Sequence, residues 1–358
     1  MTDVTIALDA MGGDSAPSAT VAGAVLAAAT GVQVRLCGPT ERLRAELGGD
    51  VAGIQIVDAP DVIDAHDEPA AAVRAKDRSS LVVACREVRE GRAQGVVSAG
   101  PTGAMMAAAL IQIGRIKGIS RPGIAVPLPA MNQPCLLIDC GANPEAKPEH
   151  LEKYGIMGAE FARDVLGIEN PRVGLLSIGE EASKGTAVTL EAHALLSASE
   201  LNFGGNCEGR DVLTGEFQVV VADGFAGNVL LKGLEGAGVA LFTQLRAAAD
   251  SSFRAKIGGL LLRPAVRAIR TKTDPENYGG AYLLGVRGVV SIAHGNSNST
   301  AIRNAITYTA KGVSAGVVER LTARVATGDR NSDSGTELQT SAATHTVPHA
   351  AAPEIGEV

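Results

Sequence analysis

Short apolar runs, many of them β-branched, return throughout the chain: "VTIALDA", "VQVRLCG", "GIQIVDA", "GVVSAG", "GIAVPLP", "CLLIDCG", "RVGLLSIG", "FQVVVADG" and "GVVSIAHG". Most end in glycine or a small polar residue and lead into an Ala- and Leu-rich segment of helical length. No other feature constrains the fold as tightly, because this alternation is the mark of a mostly parallel sheet wrapped by helices. The expected class is α/β, in three α/β/α layers. Ligands of such sheets bind outside the carboxyl ends of the strands, so function is sought in the loops that follow these runs. The 358 residues allow two domains or one large α/β unit. No Pro/Ser-rich linker interrupts residues 1–328, and one continuous unit, in two lobes, is expected there. Residues 329–358 are rich in Ser, Thr, Ala, Gly and Pro with no apolar period, the composition of a disordered tail.

Composition narrows the function. Hydrophobic residues make up 46% of the chain, yet aromatics only 3% and Trp is absent; this suits close-packed helices on a sheet better than an aromatic binding face. A formal net charge of -7 argues against a general nucleic-acid binder, which needs a basic surface. The five cysteines, an odd number without CxxC spacing, indicate neither a disulfide framework nor a metal site. They read as small core residues in a reducing cytoplasm. The start "MTDVTIALD" has no basic leader, and no uninterrupted apolar run reaches the roughly 18 residues of a spanning helix. The expectation is a soluble cytoplasmic protein.

The first strand-end loop, "DAMGGDSAP", carries Asp9, Gly12, Gly13 and Asp14. It fits neither GxGxxG nor GxxxxGK[ST], so a nucleotide cradle has little support. Asp14 or Ser15 can cap the helix that Pro17 helps begin, which leaves Asp9 and the glycine pair unexplained. "RAKDRSS" sets Arg74, Lys76, Arg78, Ser79 and Ser80 before an apolar helix, an arrangement suited to an oxyanion or simply a solvated turn with serine caps. "VVSAGPTGA" offers Ser98, Gly100, Thr102 and Gly103 as a close-approach loop or a plain turn. "LLIDCGANPEAKPEH" puts Asp139 and Asn143 at a strand end, with Lys147 and His150 nearby; an Asx turn is the alternative.

"LLSIGEEASKGT" ends a strand with Glu180 and Glu181 and then presents Lys184. Two acids would hold Lys184 charged and oriented toward phosphate or a carbonyl, unless the group is a surface ion pair of little worth. In "VVVADGFAGNVLLKGLEG", Asp223 precedes a helix on which Asn228 can either cap or aim its amide at a developing oxyanion. His294 stands at the end of "VVSIAHG" with no Ser-His-Asp order or activated Cys to partner it. The stretch 245–274 is basic in an otherwise acidic chain: Arg254, Lys256, Arg263 and Arg267 interleave with Leu260, Leu261 and Leu262. A segment of this kind lies on anionic lipid, meets an acidic partner, or covers the core as an ordinary helix pair.

In order along the chain, "ALDAMGGD", "RAKDRSS", "SAGPTGA", "LIDCGAN", "GEEASKG", "ADGFAGNVLLK" and "HGNSN" resemble the bacterial phosphate acyltransferases of phospholipid synthesis, the PlsX family. The likeness spans residues 6 to about 310. One departure is Pro101, where the family usually has Asn. The resemblance implies a fold like isocitrate and isopropylmalate dehydrogenases and a homodimer that uses no metal or nicotinamide cofactor. It implies transfer of a long-chain acyl group from acyl carrier protein to inorganic phosphate, giving acyl phosphate for phosphatidic acid synthesis. Peripheral association with the membrane, or with a downstream membrane acyltransferase, is implied as well. Lys184 and Asn228 match the family's proposed active-site residues. The remaining loop residues then become substrate-binding candidates, and the acids of the first loop become partners for a cation such as Lys184. The chemistry agrees, since phosphate is already a nucleophile and needs only positioning and oxyanion stabilisation. A dehydrogenase of the same fold and a non-enzymatic lipid or carrier-protein scaffold are the rival expectations.

Overall fold

The computed structural model describes residues 4–272 and 275–336. Its first half contains β1 (Thr5–Asp9), α1 (Ser18–Ala28), β2 (Gln33–Gly38), α2 (Thr40–Leu47), β3 (Ile54–Asp58), α3 (Pro69–Ala75), α4 (Ser80–Arg89), β4 (Gly95–Ser98), α5 (Thr102–Ala108), β5 (Gly123–Leu128) and β6 (Cys135–Ile138). There follow α6 (Pro148–Phe161), β7 (Val173–Leu176), α7 (Ala187–Ala198), β8 (Phe203–Cys207), β9 (Val219–Val221), α8 (Gly224–Asp250), α9 (Phe253–Lys272), β10 (Ala281–Leu284), β11 (Val289–Ile292), α10 (Ser299–Ser314) and α11 (Val317–Thr336).

The eleven strands of the described residues form one sheet, in the order β3-β2-β1-β4-β11-β10-β5-β6-β9-β7-β8. Both faces are covered, as the uninterrupted apolar runs require. Along β1, Ile6 and Leu8 pack into one cluster and Ala7 into another; along β6, Leu136 and Ile138 face one cluster, Cys135 and Leu137 the other. This is the expected three-layer arrangement. The five cysteines are buried and free, in keeping with their reading as core residues.

The expectation of a mostly parallel sheet holds, with one consequential refinement. Strands β3, β2, β1, β4 and β11 are mutually parallel, and so are β6, β9, β7 and β8. Between the two groups β10 is antiparallel to β11 and to β5, and β5 is antiparallel to β6. The two parallel halves therefore run in opposite directions, and their carboxyl ends lie at opposite edges. Two strands escaped the sequence pattern. Glycines dilute β8, "FGGNC", and β10 is a four-residue strand between Gly279-Gly280 and Gly285.

The segment 245–274 is not a unit. Leu245 lies within α8, a helix of 27 residues, and the turn to α9 comes only at Ser251. Nor does the pair cover the core: of α8 only Gly224, Gly227 and Leu231 are buried, while Val239, Leu241, Phe253, Leu260, Leu261 and Leu262 are all more than half exposed. The α8 helix is long and apolar enough to cross a membrane by length and composition, which a count of uninterrupted apolar residues misses because Lys232 and Glu235 break the run. The boundary expected at 328 falls inside α11, which continues to Thr336; the rest of the expected tail, 337–358, lies outside the described residues.

Candidate active site

A cavity of about 900 Å³ lies over the junction of the two sheet halves. Its floor is apolar, made by Ile124 and Val126 of β5, Ala281 of β10 and Ile292 of β11. One wall is built from the loops after β1, β4 and β11: Gly12, Gly13, Asp14, Gly100, Thr102 and His294 line it. The facing wall comes from the oppositely directed half, through Gly141 after β6 and through Asn228, Lys232 and Glu235 of α8. The cleft thus collects strand ends from opposite edges because it sits where the strand direction reverses.

The first wall is organised by Asp9, which is buried beneath it rather than facing it. Its Oδ1 accepts the N–H of Met11 at 3.2 Å and its Oδ2 the hydroxyl of Ser98 at 2.7 Å. Ser98 in turn accepts the N–H of Gly100 at 2.9 Å. Burial pushes the Asp9 carboxyl above the ordinary carboxylate range, and bonds from Ser80, Ser98, Met11 and Gly12 pull it part of the way back. The glycines follow from this arrangement. A Cβ at Gly12 would stand 2.6 Å from the Gly100 nitrogen and 2.7 Å from Asp9 Oδ2, and Gly13 has a φ of +102°. Asp14 gives its N–H to the Gly295 carbonyl at 2.7 Å. Neither Asp14 nor Ser15 caps α1, whose N-cap position is Pro17 with no side-chain cap bond. His294 is exposed, its Nδ1 accepting the Asn296 N–H at 3.4 Å.

The second wall rests on another buried carboxylate. Asp139 accepts the N–H groups of Ile124, Ala142 and Asn143 at 2.9, 3.0 and 2.7 Å, and burial likewise raises its carboxyl. Asn143 adds bonds from Nδ2 to the Pro122 carbonyl and the Tyr154 hydroxyl. The first turn of α8 lies directly on this loop: Gly224 donates to the Asn143 carbonyl at 2.9 Å, and a side chain at Gly227 would overlap the Asp139 carbonyl. Asp223 is the N-cap, accepting the Ala226 N–H at 2.8 Å. That leaves Asn228 free of the capping role considered for it, exposed and next to Gly141, with no intrachain side-chain bond among the described residues.

Other expected site residues stand elsewhere. Ser79 and Ser80 are buried, Ser80 on Asp9; Lys76 is paired with Asp67 at 2.6 Å and Arg78 with Asp58 at 3.4 Å, while Arg74 is exposed at the end of α3. The "RAKDRSS" turn is therefore not an open oxyanion pocket. Gly103 packs toward Pro69 of α3, and His150 Nδ1 accepts the Lys147 N–H at 3.1 Å at the start of α6. Lys184 is exposed but does not line the cleft, and Glu180 pairs with Arg210 at 3.1 Å instead of with it. Among the described residues no ion pair joins Lys184 to Asp9, Asp14, Glu180 or Glu181; Asp9 is buried under the first wall, and the Lys184 loop follows β7 in the other half. Arg254, Lys256, Arg263 and Arg267 are exposed along α9 beside Leu260, Leu261 and Leu262. Sequence reasoning passed over Lys232 and Glu235, although Lys232 lies four residues beyond Asn228 on one helix and so shares its face. Among the described residues no group of three His, Cys, Asp or Glu side chains could hold a metal ion.

A family model described as "Fatty acid synthesis protein" matches residues 4–320, and the phosphate acyltransferase of Pelotomaculum thermopropionicum is 50% identical over 304 residues, covering 84% of this chain and 89% of that protein. The chain belongs to the phosphate acyltransferase family. The Moorella thermoacetica phosphate acyltransferase is 48% identical over 319 residues, 88% of this chain and 94% of its own. Among solved structures, a phosphotransacetylase from Streptococcus pyogenes superposes with a TM-score of 0.60 at 17% identity, over 87% of this chain and 94% of that one. 4-Hydroxythreonine-4-phosphate dehydrogenase from Klebsiella pneumoniae gives 0.51 at 14% identity, over 86% and 98%. These two likenesses concern the fold alone and agree with the dehydrogenase-like architecture expected.

This member of the phosphate acyltransferase family is an acyltransferase of fatty-acid and lipid synthesis. Its cleft joins an apolar floor to an exposed amide, Asn228, that makes no side-chain bond among the described residues.

Proposed function

We propose that the protein transfers a long-chain acyl group from acyl carrier protein to inorganic phosphate, giving acyl phosphate for phosphatidic acid synthesis. One observation carries the reading. Asn228 stands near the start of α8, whose first turn is capped by Asp223, and lines the cleft together with its apolar floor. A phosphate oxygen attacks the thioester carbonyl carbon, the carbonyl electrons move to oxygen, and the tetrahedral oxyanion accepts a bond from Asn228 Nδ2. Collapse breaks the C–S bond and releases the carrier as its thiolate. Preorganised donors of this kind act where charge develops and contribute more in a partly desolvated cleft than in water.

Lys184 keeps its role in this reading through the family resemblance. As it lies outside the cleft of its own chain, that role requires either the second copy of the proposed homodimer or closure of its loop onto bound substrate. The α8–α9 hairpin supplies the contact with acyl carrier protein and with the membrane surface, since exposed Arg254, Lys256, Arg263 and Arg267 suit acidic partners and the neighbouring leucines suit acyl chains. The reading makes the protein cytoplasmic and peripherally membrane-associated.

The test is direct. Incubation with acyl carrier thioester and phosphate yields acyl phosphate and free thiol in equal amounts; thiol release without acyl phosphate refutes the proposal. Charge reversal at Arg263 and Arg267 raises the KM for the acyl-carrier substrate or abolishes binding to anionic vesicles, and no change in either removes the hairpin from the mechanism.

A further inference from the structure

We propose that Lys232 holds the phosphate substrate and that Glu235 occupies its ammonium group when phosphate is absent. The inference rests on the reaction proposed above. A phosphate entering this cleft meets Asp14, Asp64 and Glu235, all of which line it, and Lys232 is the only lysine or arginine among the described lining residues. The first wall is poorly placed to compensate. The N–H groups of Met11 and Gly12 are engaged by Asp9, that of Gly100 by Ser98 and that of Asp14 by Gly295. These bonds leave fewer N–H groups of the glycine-rich turn for an anion, and the one cation among the described lining residues stands on the opposite wall.

Lys232 follows Asn228 by one helical turn, and on a helix residues four apart share a face with Cβ atoms roughly 5–6 Å apart. Phosphate on Lys232 consequently sits beside a thioester carbonyl held by Asn228, a spacing that suits attack from about 3–3.5 Å. Without phosphate the Lys232 ammonium lies 2.8 Å from Glu235 Oε2, in a pair whose side chains are 56% and 43% exposed. Pairs this exposed are weak, so an incoming phosphate, offering several oxygens, readily takes the carboxylate's place. Glu235 keeps the ammonium aimed along the helix and competes with substrate for it.

Two adjacent substitutions should then move one parameter in opposite directions. Lys232→Gln raises the phosphate KM about ten- to a hundredfold, the usual effect of losing a charge-assisted bond, while the KM for the acyl-carrier substrate stays within about twofold. Lys232→Arg retains most of the affinity. Glu235→Gln lowers the phosphate KM by about two- to fivefold, and Asp64→Asn, which alters the charge of the cleft without touching the pair, lowers it less. Circular dichroism establishes that each variant is folded. A folded Lys232→Gln protein with the wild-type phosphate KM overturns the inference, as does a Glu235→Gln effect no larger than that of Asp64→Asn. Wild-type turnover to acyl phosphate, measured in the same series, tests the reaction itself, so the two failures are distinguishable.

Discussion

The two walls of the cleft stand on the same device and present different surfaces. Each rests on a buried strand-end aspartate, Asp9 as the last residue of β1 and Asp139 just after β6, that gathers N–H groups from its own loop. Above Asp9 the wall is largely backbone, closed by glycines with no room for a side chain. Above Asp139 the loop carries a helix, and that helix brings Asn228 and Lys232 to the lining of the cleft. Glycine and acid at a strand end thus serve shape on one side and indirectly serve chemistry on the other, depending on what is built over them.

The comparison breaks most sharply at Asn228. Removing one oxyanion donor typically lowers kcat by about 10²–10³, and Asn228→Ala should do so while leaving the urea midpoint unchanged, because the side chain makes no bond among the described residues. Asp139→Ala should act on stability and activity together. It strands several N–H groups in the interior and is expected to lower the unfolding free energy by about 3 kcal/mol or more, measured by urea denaturation. Gly12→Ala tests the first wall: with its Cβ 2.6 Å from the Gly100 nitrogen, overpacking should destabilise by about 1–3 kcal/mol, and a variant as stable and active as wild type would remove the claim that this wall is shaped by close packing.

The smallest effect concerns pH. Burial raises the Asp9 carboxyl, so its folded pKa lies above the unfolded value of about 3.9. The stability it contributes is fully present below that unfolded value and is lost as pH rises through the folded one. The stability gap between wild type and Asp9→Asn should accordingly narrow as pH increases across that window. A gap that widens with pH would mean that the hydrogen bonds to the carboxylate outweigh its desolvation.

Much of the fold was legible in the chain. Runs such as "TIALD" and "CLLI" announce strands buried on both faces, and the polar ends of those runs announce the loops. Strands β8 and β10 were not legible, because a glycine pair and a four-residue length erase the β pattern. Losing β10 hid the reversal of strand direction. That is why Lys184, a plausible companion for Asn228 in a list of strand-end loops, proves to stand outside the cleft of its own chain, and why Lys232, quoted within a motif, drew no attention.

Periodicity and ordered motifs are local properties of the chain, and they sufficed for the α/β class and the family. Which polar residues face the cleft follows from the three-dimensional packing alone. Asp9, Asp139 and Asn228 are equally polar in sequence, yet two are buried under N–H donors and one is exposed to the cleft. That outcome depends on which loops the sheet's reversal brings together and on the requirement that every buried N–H find an acceptor.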